Sequence, residues 1–103
     1  MNEIYTITTL TNSGIDMSRC FGFFFSESAA REAALNNQGS MQECLYKYLV
    51  IEKQGDGIHA HAEDIQWYIW IHTDKENWDG YWYECSRPKG ERFDNITNFN
   101  CVG

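Results

Sequence analysis

Hydrophobic and polar residues alternate most clearly in the stretch 65–85. In residues 65–72, alternation puts Trp67 on one face of a strand and Tyr68 and Trp70 on the other. A second alternating run follows a polar segment, so the pattern predicts an antiparallel hairpin. Large aromatic side chains on both faces indicate a core on one side and a second covering layer, or a partner, on the other.

Two further strands are predicted in the first 25 residues. Residues 4–10 are β-branched or aromatic, which favours a half-buried strand. In residues 19–25, alternation predicts that three phenylalanines line the core and that Gly22 marks a bulge or the close approach of a neighbour. The three predicted core phenylalanines are Phe21, Phe23 and Phe25.

One main helix is predicted over residues 27–37. Ser26 is a suitable N-cap, and Glu27 lies at the positive end of the helix dipole. Gly39 suits a left-handed cap at the C-terminal end. An apolar stripe with helical spacing is formed by Ala29, Ala30, Ala33 and Ala34.

The order of the predicted elements defines the fold class. Residues 45–53 form an apolar run with Lys47 near its start, which is typical of a central strand. The order strand, strand, helix, strand, strand, strand predicts an α+β fold, with an antiparallel sheet of four or five strands and one main helix packed on a face. We expect residues 1–103 to form a single compact domain.

The charge balance disfavours nucleic acid as a partner. Lys and Arg number 8 against 15 Asp and Glu, which gives a net charge of -7. Without a basic patch, the electrostatic attraction that drives non-specific nucleic-acid binding is missing. An acidic surface suits solubility, a basic protein partner, or mimicry of nucleic acid toward a protein that binds it.

The chain shows no sequence signal for export or for a membrane. It has no run of 18 apolar residues, and Glu3 stands where a signal peptide carries basic residues. The four cysteines include no C-x-x-C pair, so we expect buried free thiols and no local zinc site. These features predict a cytoplasmic protein that does not interact with a membrane.

The hairpin aromatics are the main candidates for binding. Tyr68 and Trp70, lying across from either Tyr81 and Tyr83 or Trp82, form a platform for a flat ligand or a partner's apolar surface. The sequence does not fix the register that decides between these arrangements. Under the alternative interpretation, the helix covers one face and the C-terminal tail the other, and no ring is exposed.

His59 and His61 are weak candidates for metal ligands. On an extended chain their side chains point the same way, and a carboxylate could complete a zinc or nickel site. H-x-H alone is a weak signal, because histidines before a strand more often lie in solvent or cap backbone groups. No nucleophile elbow or phosphate-binding loop is present, so catalysis is disfavoured and no cofactor is expected.

Five segments spread over most of the chain carry a resemblance to known sequences: FGFFF at 21–25, ECLYKYLVIE at 43–52, GIH at 57–59, WYIW at 67–70 and NFNCVG at 98–103. Together they resemble a group of small proteins from bacteria and their phages to which no activity is assigned. The resemblance implies a cytoplasmic, stand-alone domain in a phage or mobile-element setting. It implies no role for any residue.

These observations favour a non-enzymatic interaction domain, a phage or mobile-element accessory that binds and inhibits a host protein through an aromatic and acidic surface. The first alternative is a small-ligand protein, in which a homodimer clamps a planar, nucleotide-like molecule between aromatic walls. In that case Arg87, Lys89 and Arg92 gather at one mouth to meet a phosphate. The second alternative is a metal-dependent enzyme that uses His59 and His61.

Overall fold

The computed structural model describes residues 3–11, 14–37, 47–55, 63–74 and 79–89. These residues form strands β1 Ile4–Thr11, β2 Gly14–Phe24, β3 Tyr48–Gln54, β4 Glu63–Asp74 and β5 Asp79–Cys85, and helix α1 Glu27–Leu35. Strand β2 begins earlier than predicted, because Gly14 already pairs with Thr11 of β1.

The strands form one five-stranded sheet in the order β2-β1-β3-β4-β5, and each neighbouring pair is antiparallel. The predicted antiparallel sheet with one helix, broadly an α+β fold, is confirmed. Strand β3 lies at the centre, as its apolar sequence predicts, and Leu49, Val50 and Ile51 are fully buried. Strands β2 and β5 are the edges, and each has a sheet neighbour on one side only among the described residues.

Helix α1 begins where the sequence predicts and ends earlier. The Ser26 hydroxyl accepts a hydrogen bond from the Ala29 backbone N–H at 3.2 Å, so Ser26 is the N-cap. The helix ends at Leu35, and Asn37 adopts the left-handed conformation with φ 46°. The predicted Gly39 cap lies outside the described residues. No helix in the described part of the chain is long and apolar enough to cross a membrane.

Buried side chains lie on both faces of the sheet. The first face, which carries Trp70 and Trp82, has the larger cluster, and the second face carries Trp67. Three small alanine side chains of α1 belong to the larger cluster. That cluster comprises Ile7, Ala30, Ala33, Ala34, Leu49, Ile51, Tyr68, Trp70 and Trp82. The cluster on the second face comprises Leu10, Val50 and Trp67.

The phenylalanines of β2 do not alternate as predicted. A register shift in the β1–β2 pair coincides with Gly22, whose φ is 154°, so the predicted bulge is confirmed. The extra residue changes which side chains point inward. Phe21 and Phe24 pack against the core, whereas Phe23 and Phe25 are 56% and 80% exposed. The expectation that Phe23 and Phe25 line the core is therefore wrong.

Candidate functional site

The hairpin register decides which aromatic residues share a face. Residues directly opposite each other in an antiparallel pair lie on the same face. Of the two arrangements that the sequence leaves open, the structure has the one in which Trp82 faces Trp70, and Tyr81 and Tyr83 lie on the second face. The pairs across β4 and β5 are Tyr68 with Glu84, Ile69 with Tyr83, Trp70 with Trp82 and Ile71 with Tyr81.

Three of the predicted binding aromatics, Tyr68, Trp70 and Trp82, are buried in the core. The indoles of Trp70 and Trp82 meet edge to face, with ring centroids 5.2 Å apart. The indole N–H of Trp82 donates a hydrogen bond to Asn37 Oδ1 at 3.1 Å, which ties the hairpin to the end of α1. A ligand could contact these three rings only if the core opened.

Tyr81 is the predicted binding aromatic that reaches the surface. Tyr81 and Tyr83, which we call the tyrosine pair, are 45% and 58% exposed. Their rings meet edge to face with centroids 6.3 Å apart. Their cross-strand neighbours Ile71 and Ile69 are half-buried, so an apolar strip follows the β5 edge on the second face.

A polar cluster joins α1 to the hairpin. The Arg31 guanidinium donates to the Glu27 carboxylate at 2.7 Å and to Gln66 Oε1 at 3.2 Å, and it lies 3.6 Å from the Glu84 carboxylate. The hydrogen bond to Glu27 raises the pKa of Arg31. Burial raises the pKa of Tyr68 and outweighs the attraction of its phenolate to Arg31. Two carboxylates offset the charge of Arg31, so this cluster offers little attraction to an anionic ligand.

The structure describes Arg87 and Lys89, two of the three basic residues predicted to gather at the mouth of a ligand site. Arg87 lies 3.7 Å from the Asp64 carboxylate, which also accepts a hydrogen bond from the Trp67 indole at 2.8 Å. Asp64 therefore offsets the charge of Arg87. Lys89 is exposed, and Arg92 lies outside the described residues. The gathering of these basic residues at one mouth stays a prediction.

The predicted metal ligands His59 and His61 also lie outside the described residues. The third histidine, His72, is exposed on β4, with its ring centroid 6.4 Å from that of Trp70. Within the described ranges, no group of three or more His, Cys, Asp or Glu residues is placed to hold a metal ion. Metal binding at His59 and His61 stays a prediction.

Two of the cysteines can be compared as possible nucleophiles. Cys20 and Cys85 are free thiols, but Cys20 is exposed, contrary to the expectation of burial. Cys85 is half-buried, and burial raises the pKa of its thiol. Because the thiolate is the reactive form, this shift weakens Cys85 as a nucleophile at neutral pH. Cys44 and Cys101 lie outside the described residues.

Phe23 and Phe25, which we call the phenylalanine pair, are exposed rings that the sequence does not predict at the surface. Their centroids are 5.6 Å apart and the ring planes meet at 84°. The signal in the sequence is Gly22, because a bulge there reverses the alternation of the residues that follow. The pair lies at the end of β2, immediately before the N-cap Ser26.

A groove of about 490 Å³ lies between α1 and the end of β2. Phe24, Ala29 and Ala33 give it apolar walls, and Glu32 and Asn36 add polar groups. Glu32 is exposed, so its carboxylate is available to a charged group that enters the groove. This combination suits an apolar group next to a positive charge.

Comparison of this chain with family models, curated proteins and solved structures finds no match. No functional residue is therefore carried over from a relative. The resemblance to small proteins of bacteria and their phages stays a prediction.

Proposed function

We propose that this chain is a non-enzymatic interaction domain that binds and inhibits a host protein through an aromatic and acidic surface. The observation that carries the proposal is the phenylalanine pair, since Phe23 and Phe25 are 56% and 80% exposed at one end of β2. Burying a phenylalanine side chain contributes roughly 1.5–3 kcal/mol. A complex that covers Phe23 and Phe25 gains binding free energy from each ring that it buries, and the isolated chain lacks this stabilisation.

The groove is a second, acidic contact in the proposal: Phe24 points to the face opposite Phe23, so a partner would reach both by wrapping around the end of β2. Phe24, between the two exposed rings in sequence, lines the groove together with Glu32. A partner segment that carries an apolar side chain next to a lysine or arginine matches these groups. Phenylalanine is enriched in interfaces relative to the rest of a protein surface, and the net charge of -7 speeds the approach of a basic partner.

The proposal extends to the whole chain and its setting. We take residues 1–103 as one compact domain in which α1 packs on a face of the sheet and fixes the position of β2. The setting is that of a phage or mobile-element accessory protein, following the resemblance of the sequence. The proposed inhibition comes from blocking a surface of the host protein, and no covalent bond is made or broken.

The described side chains favour a protein partner over a nucleotide-like ligand. The charge of Arg87 is offset by Asp64, and that of Arg31 by Glu27 and Glu84. The groove carries the carboxylate of Glu32, which repels phosphate.

Site-specific photo-crosslinking in the native host tests the proposed surface. A photoreactive amino acid at position 25 should capture a specific host protein, which mass spectrometry then identifies. Position 35 is the matched control, because Leu35 is 55% exposed on α1 and does not line the groove. Capture of the same protein in equal yield from both positions would argue against a surface centred on Phe25.

Binding to the purified partner gives the quantitative test. The variant Phe23→Ser/Phe25→Ser should weaken the affinity at least tenfold, or about 1.4 kcal/mol, because it removes both exposed rings. Leu35→Ser should leave the affinity unchanged. Thermal unfolding of both variants checks that each retains its fold. An unchanged affinity in the double variant would contradict the proposal.

A further inference from the structure

Strand β5 is an open edge in the part of the sheet that the structure describes. It pairs with β4 in unbroken register over residues 80–85, and β4 is its neighbour on one side. The other side of an edge strand presents backbone N–H and C=O groups that can pair with a further strand.

Over residues 80–85 the β5 edge carries one feature that commonly prevents such pairing, the charge of Glu84 on the first face, which Arg31 offsets, and it lacks the others. Natural proteins protect edges with proline, lysine, bulges or inward-pointing charges. Residues 80–85 contain no proline or lysine, and the tyrosine pair on the second face is exposed. Strand β2, the opposite edge, has register shifts at two points along its pairing with β1.

We propose that β5 pairs antiparallel with β5 of a second copy of this chain, about a twofold axis through Trp82. The sequence Tyr-Trp-Tyr at 81–83 is symmetrical about that residue. Pairing centred there sets Tyr81 of each copy directly opposite Tyr83 of the other. Because opposite residues share a face, the four tyrosines meet on the second face, beside the half-buried Ile69 and Ile71.

Charge supports this register. Centring the pair on Trp82 places Glu84 of each copy opposite Gly80 of the other, so no two carboxylates face each other. Centring it on Glu84 instead would set two carboxylates against each other, which destabilises an antiparallel pair. The proposed register is therefore the one that combines both tyrosine contacts with separated acids.

The net charge gives the association a distinctive dependence on salt. Each copy carries a charge of -7, so the approach of two copies is opposed by long-range repulsion. Salt screens this repulsion, and self-association should strengthen as salt rises. Binding of a basic partner should weaken under the same change, which separates the two kinds of interaction.

Sedimentation velocity over a concentration series at low and high salt tests the proposal on the full chain. We expect the mass to rise from one chain toward two with concentration, and to reach two at lower concentration in high salt. A single-chain mass at every concentration and salt would overturn the proposal.

Paired substitutions test the register. Tyr81→Glu/Tyr83→Glu sets acids opposite each other and should abolish the dimer, whereas Tyr81→Glu/Tyr83→Lys sets opposite charges together and should retain it. Phe23→Glu is the control on the other edge, since Phe23 is 56% exposed and Tyr83 58%. Circular dichroism and thermal unfolding check that each variant is folded.

The outcomes distinguish this proposal from the proposed host interaction. Association of Tyr81→Glu/Tyr83→Glu equal to that of the parent chain, or loss of association in Phe23→Glu, would overturn the pairing of β5. Dissociation of Tyr81→Glu/Tyr83→Lys would overturn the register centred on Trp82. The phenylalanine pair lies on the other edge, so Phe23→Ser/Phe25→Ser should weaken host binding at least tenfold and keep the dimer.

Discussion

Gly80 lies against the Trp70 indole, in a space too small for any side chain. A Cβ at this position would overlap the Ile71 carbonyl oxygen and lie 2.8 Å from Trp70 Nε1. Trp70 is buried against Trp82, so its indole cannot turn away without leaving the core. The absence of a side chain at Gly80 therefore leaves the space that the Trp70 indole occupies.

We predict that Gly80→Ala lowers the free energy of unfolding by about 1–3 kcal/mol, as overpacking in a core does. The backbone oxygen of Ile71 cannot shift without disturbing the β4–β5 pairing. Urea denaturation measures the change. In the control Gly55→Ala, the added Cβ meets nothing within 4 Å, and we expect a change within about 0.5 kcal/mol. Equal losses in the two variants would contradict this account of Gly80.

The Tyr68 hydroxyl makes stability depend on alkaline pH. The side chain is fully buried, and its hydroxyl makes no hydrogen bond of good geometry among the described residues, although the Arg31 guanidinium lies close enough to lower the pKa in part. Burial raises the pKa of Tyr68 above the ordinary value of 10.0. Above about pH 10, the unfolded chain therefore releases a proton that the folded chain keeps, and stability falls as pH rises. Well below that pH, Tyr68 is protonated in both the folded and the unfolded chain, so it causes no loss of stability there.

We predict that Tyr68→Phe removes part of the stability loss between about pH 9 and pH 11. At neutral pH the variant should be about as stable as the parent chain, because it deletes a buried hydroxyl whose contact with Arg31 is too poorly aligned to offset its burial. Denaturant unfolding at several pH values measures both effects. Tyr83→Phe is the control at an exposed ring and should keep the alkaline loss. Parallel losses in the parent and Tyr68→Phe would refute the role of Tyr68.

At the scale of elements, the centre of the sheet should be its most stable part. Strand β3 pairs with β1 on one side and β4 on the other, and Leu49, Val50 and Ile51 are fully buried. We predict that backbone amides of β3 exchange with solvent more slowly than those of β2 and β5. Hydrogen exchange followed by NMR in dilute protein measures this order. Exchange from β3 as fast as from both edges would contradict it.

Elements with local signals could be predicted from the sequence. The apolar run around Leu49 and Val50 identifies a central strand, and Ser26 marks the helix start because its hydroxyl caps the nearby Ala29 N–H. The exposure of Phe23 could not be predicted, because it depends on how the bulge at Gly22 pairs with β1. A shift of one residue reverses the faces of all that follow.

The candidate site was predictable only in part, for the same physical reason. Alternation shows that the hairpin carries aromatics on both faces, but burial depends on which elements cover each face. Trp70 and Trp82 enter the core with the helix alanines, while Tyr81 stays exposed. Phe24 and Glu32 of α1 line the same groove, an arrangement that sequence alone does not specify.

At the scale of the whole molecule, charges are offset locally while the net charge stays negative. Described ion pairs join Arg31 to Glu27, Lys53 to Glu3 at 3.2 Å, and Arg87 to Asp64. These contacts are partly exposed, so each contributes little to stability. The remaining net charge of -7 acts at longer range and favours basic partners over phosphate-bearing ones.

The irregular pairing of β2 limits how many copies of the chain can join. If both edges of a sheet could recruit another chain, copies would add end to end into a filament of unlimited length. The twofold contact uses up the β5 edge of each copy, and the distorted β2 edge is a poor template for a further strand. Growth then stops at two chains. The same local distortion that turns Phe23 toward solvent would thus protect the protein against fibre formation.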